Sequence, residues 1–145
     1  MSWPLNLFQS IVFQTVMSGV LVYVLSQIIE KFFLDPILKY NEVKGKIDNK
    51  LKFYSNVIAN PGILPDETYL ECSNILRELS CELEATYKQI PVKKILVIKL
   101  DSPENVSNSA RLLIGLSNNL YDPDQVKRND EIINKIRKNL NIPEL

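Results

Sequence analysis

Histidine is absent from this chain, and that one absence removes imidazole acid–base catalysis, Ser-His and Cys-His nucleophile pairs, HExxH zinc sites and haem ligation by His. Glycine is scarce. Gly19, Gly45, Gly62 and Gly115 are the whole set, too few and too scattered for a glycine-rich loop that cradles phosphate. Cysteine occurs only at Cys72 and Cys81. On one helix, at about 100° per residue, two positions so spaced point to roughly opposite faces, which argues against a disulfide between them. They read as buried, reduced thiols acting as small hydrophobes, in keeping with a reducing compartment. No spacing of Cys, Asp and Glu suggests a metal site. Glu82 and Glu84 do not share a helical face and so form no carboxylate dyad. No cofactor is implied.

Charge is missing from one place in particular. The chain of 145 residues carries 17 Lys and Arg against 17 Asp and Glu, yet every one of them lies at or after Glu30. The overall balance is neutral, which gives no support for general nucleic-acid binding, since phosphate neutralisation needs an excess of cations. The uncharged opening is a different matter. From about Leu7 to Phe33 the chain is mostly apolar, and roughly 20 such residues in a helix cross a hydrocarbon core of about 30 Å. Trp3 stands where an aromatic ring anchors at an interface, and Lys31 at the other end has the reach to snorkel. A cleaved signal peptide fits poorly, because the front carries no Lys or Arg and Phe32-Phe33-Leu34-Asp35-Pro36 offers no small-residue cleavage site. An interfacial helix wants cations on its polar face, and none exist here. A buried core helix stays open as an alternative, because Gln9, Ser10, Gln14, Thr15, Ser18, Ser26 and Gln27 dilute the span.

Lys31, Lys39, Lys44, Lys46, Lys50 and Lys52 all follow the span and no cation precedes it. By the positive-inside rule the N-terminus faces out and the long C-terminal part is cytoplasmic, at the cell inner membrane. Residues 1–34 are thus expected to form a transmembrane anchor and 35–145 a cytosolic helical domain. Within the span, Ser10, Gln14 and Ser18 recur every four residues with Gly19 beside them. Small and amide residues on one face mark helix–helix contacts in lipid, which points to a homo-oligomer. The plainer reading is that the hydroxyls bond to their own helix.

Past the span the pattern is helical throughout. Asp35-Pro36 has the form of an N-cap followed by a first-turn proline, so a helix is expected to start there or to continue beyond a kink. Its apolar face is Ile37, Tyr40, Val43, Ile47, Leu51, Tyr54 and Ile58, and Asn60-Pro61-Gly62 ends it. Leu64-Pro65-Asp66-Glu67 opens the next helix, with acidic residues suited to the helix dipole; Tyr69, Cys72, Leu76, Leu79, Leu83, Tyr87 and Ile90 form its stripe. Residues 91–100 are rich in β-branched side chains but have no strand to pair with, and are read as a short helix. Asp101-Ser102-Pro103 caps a helix with Val106, Ala110, Leu113, Leu116 and Leu120 inward. After a loop at 118–124 a last helix over about 123–140 turns Val126, Ile133, Ile136 and Leu140 inward. The expected fold is all-α: one N-terminal transmembrane helix followed by a bundle of four or five helices.

Phe33-Leu34-Asp35-Pro36-Ile37, Phe53-Tyr54-Ser55-Asn56, Asn60-Pro61-Gly62 and Leu112-Leu113-Ile114-Gly115-Leu116-Ser117-Asn118 together resemble a group of small bacterial membrane proteins. The resemblance covers most of the chain after the anchor. It implies an N-terminal membrane helix and a helical body, and it carries no activity, so no catalytic residue is transferred. The layout is also loosely similar to membrane effectors of bacterial antiphage defence, a likeness of arrangement only.

The candidate contacts are cationic. Arg77 and Arg111 lie beside apolar stripes and present planar donor forks suited to an anion; equally, each is a packed stem with a solvated head. Lys93 and Lys94, near Lys88, suit lipid headgroups or a small anionic ligand, or form a solvated basic patch. Asn118 and Asn119 suit a ligand or a helix C-cap. The functional expectation is a non-enzymatic, self-associating membrane protein whose domain receives a protein partner or small anionic ligand; the alternative is a passive tether for a soluble partner.

Overall fold

The computed structural model describes residues 10–91 and 100–143. Among these there is no strand, and the chain divides into two compact units, Met1–Asp35 and Pro36–Leu145. The expected short helix at 91–100 therefore lies outside the described residues, apart from Pro91 and Leu100.

The first unit contains α1, Ile11–Ile29, followed by one π-helical turn, Glu30–Leu34. None of α1 is buried, and its apolar side chains are exposed on every side, from Ile11 at 81% to Ile29 at 53%. One helix near the N-terminus is thus long and apolar enough to span a membrane. The π turn has a cause in the sequence. Pro36 has no N–H for the carbonyl four residues back, and its ring crowds that carbonyl. The chain widens instead: Asp35 donates its N–H to the Glu30 carbonyl, five residues back. Asp35 has helical backbone angles (φ −56°, ψ −45°), so it is not the N-cap expected there. Helical structure carries on into α2.

The second unit holds α2 (Asp35–Phe53), α3 (Ser55–Ala59), α4 (Asp66–Gln89), α5 (Pro103–Asn119), a 3-10 turn (Pro123–Gln125) and α6 (Val126–Asn139). The three apolar faces assigned to α2–α3, α4 and α5 from their spacing are all buried. The last helix departs from expectation: Val126 is exposed and Ile133 only half-buried, while Ile132 takes the inward place beside Ile136 and Leu140. This helix is preceded by a 3-10 turn. Asp122 caps it by accepting the Asp124 N–H at 3.0 Å, so the α-helix proper begins only at Val126. Ser102 caps α5, accepting the Asn105 N–H at 3.1 Å, with Pro103 in the first turn as expected.

Packing follows side-chain size. The α4–α5 contact is lined by buried serines, Ser73 and Ser80 facing Ser109 and Ser117, and Ser80 Oγ donates to the Ala110 carbonyl across it at 2.8 Å. Small side chains let the two backbones close up. By contrast α2 meets α4 through long side chains. The Tyr40 and Tyr87 rings lie 5.3 Å apart, Tyr54 donates to Glu71 at 2.9 Å and Lys46 pairs with Glu82 at 3.0 Å. The Asn60-Pro61-Gly62 turn is tied to the turn that follows α5. Gly62 has φ +71°, donates its N–H to the Leu120 carbonyl at 3.0 Å, and leaves no room for a side chain, since a Cβ there would stand 2.6 Å from Pro123 Cγ. Tyr69 Oη accepts the N–H groups of Ile63 and Leu64 at 2.8 and 2.7 Å.

Cys72 is buried and Cys81 exposed, which corrects the expectation that both are buried. The geometry that excludes a disulfide forces this split, because opposite faces of a surface helix cannot both face the core. Burial pushes the Cys72 thiol up to about 12, with Glu71 adding to the shift. A maleimide at pH 8 should therefore label the native chain once, at Cys81, and twice in denaturant; mass spectrometry gives the count. Gly62→Ala should cost about 2–4 kcal/mol, from left-handed strain plus the overlap with Pro123, read as a loss of melting temperature in mild detergent.

Candidate functional site

Two polar centres stand out in the second unit, one closed and one open. The closed one is built on Asp101, which is 5% exposed. Its carboxylate accepts Tyr40 Oη at 2.7 Å, Lys44 Nζ at 2.7 Å and Asn141 Nδ2 at 2.5 Å, while its backbone carbonyl accepts Tyr87 Oη at 2.8 Å. One residue thus binds α2, α4, the start of α5 and the chain after α6. A buried carboxylate is tolerated only when its oxygens are met this fully. Tyr40 is wholly buried, and burial, then the hydrogen bond to Asp101, raises its pKa; burial, then the charge of Asp101, raises that of Tyr87. Both phenols are held neutral as donors, a structural use. The sequence marked Asp101 only as part of a cap, and nothing local could have revealed its three distant donors.

The open centre is a groove of about 540 Å³ between α5 and α6. The short connection folds α6 back along α5, and Asn119 Nδ2 donates to Asn129 Oδ1 at 3.1 Å near the turn. Asn129 is buried and in turn donates to the Ile58 carbonyl at 3.2 Å, fixing α6 against α3. Arg111 from α5 and Arg128 and Lys135 from α6 line the groove, with Glu131 the single carboxylate among them. Leu112, Gly115 and Ile132 form its apolar lining. Arg128 Nη1 reaches Gln125 Oε1 at 3.4 Å; among the described residues, Arg111 and Lys135 have no ion pair.

The proposed contacts separate on this map. Arg111 enters the groove. Arg77 does not: its Nε donates to Ser117 Oγ at 3.1 Å and its Nη2 to Asn118 Oδ1 at 2.8 Å, so it ties α4 to the end of α5. Asn118 and Asn119 therefore serve inter-helix bonds in place of the expected cap. Lys93 and Lys94 lie outside the described residues. Arg128 and Lys135 were not singled out from the sequence, although their spacing of seven with Ile132 between them puts all three on one helical face.

In the first unit, Ser18 Oγ donates to the Gln14 carbonyl at 2.8 Å, Ser26 Oγ to Val22 at 2.8 Å and Thr15 Oγ1 to Ile11 at 2.9 Å. The hydroxyls are satisfied by their own helix, the plainer of the two readings. Ser10 precedes the helix. At Gly19 a Cβ would meet nothing within 4 Å, so the backbone there is open to close approach. Compared with protein-family models, curated proteins and solved structures, the chain matches none.

The raised phenol pKa values have a definite sign. The folded state holds those protons more tightly than the unfolded chain, whose tyrosines titrate near 10.0. The associated stability is complete below that pH and is lost as pH rises toward the folded values. The melting temperature should fall steadily above pH 10. Tyr40→Phe should flatten that fall while costing about 1–3 kcal/mol at pH 7, since Asp101 loses a donor in a buried place. Circular-dichroism melts from pH 7 to 11.5 check both.

Proposed function

We propose that this chain is a non-enzymatic single-pass membrane protein of the bacterial inner membrane. Its N-terminus faces out, and its helical domain in the cytosol receives a small anionic ligand or a protein partner. The observation that supports the membrane reading is α1 itself: nineteen residues, uncharged and mostly apolar, with none buried. An uncharged, mostly apolar helix with none of its side chains buried is poorly placed in water and well placed in lipid. The cations that follow the span supply the orientation.

Self-association through the face bearing Ser10, Gln14, Ser18 and Gly19 completes the proposal. Because the hydroxyls are already bonded within the helix, its support rests on close approach at Gly19. Receipt of a signal by the domain and a response in the assembled spans is the working layout, as in membrane effectors of antiphage defence. The alternative of a passive tether calls for an apolar face on the last two helices. Among the described residues of α5 and α6, Ile114 and Val126 are the large hydrophobics left exposed, and the groove between these helices is cationic, which favours the receiver.

The native thiols make the test simple. After carbonate washing the chain should stay in the membrane pellet. A membrane-impermeant maleimide should label Cys81 in broken cells but not in intact spheroplasts. Light scattering in detergent should give a mass above one chain, reduced by Gly19→Leu. Recovery in the supernatant would overturn the membrane reading, labelling in intact spheroplasts the orientation, and a monomer at every concentration the assembly.

A further inference from the structure

Several cations elsewhere in the second unit are paired with a carboxylate. Lys44 meets Asp101 at 2.7 Å, Lys52 meets Asp48 at 2.6 Å, Lys88 meets Glu84 at 3.2 Å, and Arg137 lies 3.5 Å from Asp48. In the α5–α6 groove the matching lapses: three cations, drawn from both walls, share one carboxylate. Two of the three are arginines, whose forks suit phosphate oxygens in pairs. Cations on opposite walls suit an anion with more than one charge better than a lone carboxylate. Glu131 and the limited volume disfavour an extended polyanion. The groove runs from Asn108 to Asn119 along α5, eleven residues or about 16 Å. Its volume falls within the range of small-ligand sites, roughly 300–1,000 Å³.

Gly115 is a separate observation. A glycine in a helix interior costs about 1 kcal/mol relative to alanine. Packing does not demand it, because a Cβ at 115 would meet nothing within 4 Å. The missing side chain opens the groove lining between Leu112 and Ile132 and lets a ligand reach the α5 backbone.

We propose that this groove binds a phosphate monoester or diphosphate. Arg111, Arg128 and Lys135 meet the phosphate oxygens, Gly115 and Leu112 accept the body of the molecule, and Glu131 accepts from its hydroxyl or amino groups. The proposal deepens the reading of the domain as a receiver of a small anion. It does not depend on the membrane assignment, which fractionation tests by itself.

The phosphate comes either from a soluble ester or from a lipid headgroup, and two arms separate these. In the first, the full chain in uncharged detergent is titrated calorimetrically with ADP and with pyrophosphate. In the second, it is placed in phosphatidylcholine nanodiscs with or without phosphatidic acid, and its melting temperature is read. Binding of ADP or pyrophosphate, or a phosphatidic-acid-dependent rise in melting temperature, is expected in one arm. Arg111→Gln with Arg128→Gln should weaken the response about tenfold or more, and Lys127→Gln, outside the groove, should leave it unchanged. Gly115→Ala should raise the ligand-free melting temperature by about 2–5 °C while weakening binding. No response in either arm at millimolar probe overturns the proposal, as does a response that survives the double arginine variant. Gly115→Ala that stabilises without weakening binding overturns the role of Gly115.

Discussion

Tyr40, Lys44 and Asn141 all aim donors at the Asp101 carboxylate, and Tyr87 aims one at its carbonyl. Because the carboxylate is buried, each donor is needed to offset the hydration it has given up, and losing any one leaves an oxygen poorly met. The arrangement links elements that close packing alone joins weakly. The serine-lined α4–α5 contact draws those two helices together without help, but α2 stands off behind tyrosines and needs a polar tie to fix its register. The chain after α6 is held in the same way, through Asn141. Asp101 thus sets where α5 begins, and the groove on the far side of α5 inherits its position from that choice.

The groove shows a second constraint, on charge. Three ion pairs of the second unit run along helix surfaces at a spacing of four. Such exposed pairs stabilise little; cations gathered in one groove are the more informative feature. Arg111, Arg128 and Lys135 are gathered so, and Gly115 between the walls gives up helix stability at a place where nothing in the fold asks for it. Departures from local stability are common where a surface serves a ligand.

In the first unit the governing fact is that α1 carries no charged side chain and none of it is buried. The hydroxyls of Thr15, Ser18 and Ser26 turn back onto carbonyls one turn earlier, so these three are met within the helix. Pro36 then interrupts the helical ladder, and the π turn at Glu30–Leu34 absorbs the interruption. The first charged side chains of the chain appear in that same turn, so the change in solvent preference and the change in helix geometry coincide.

The apolar faces of α2 to α5 were readable in the sequence because a spacing of three and four leaves a helix one way to hide its large side chains. The stop at Asn60-Pro61-Gly62, the Ser102 cap and the uncharged N-terminal helix were readable for the same kind of reason: each depends on residues within a turn or two of one another. Other features needed the tertiary structure. Asp101 collects donors from residues 40, 44 and 141, Arg77 is consumed by Ser117 and Asn118, and Arg128 and Lys135 become one site with Arg111 only when α6 folds back on α5. Ile132 is buried and Val126 exposed because of how α6 packs on its neighbours. Local covalent geometry and periodicity act along the chain and can be read from it, whereas hydrogen bonds and charges act through space, and only the packed fold decides which of them meet.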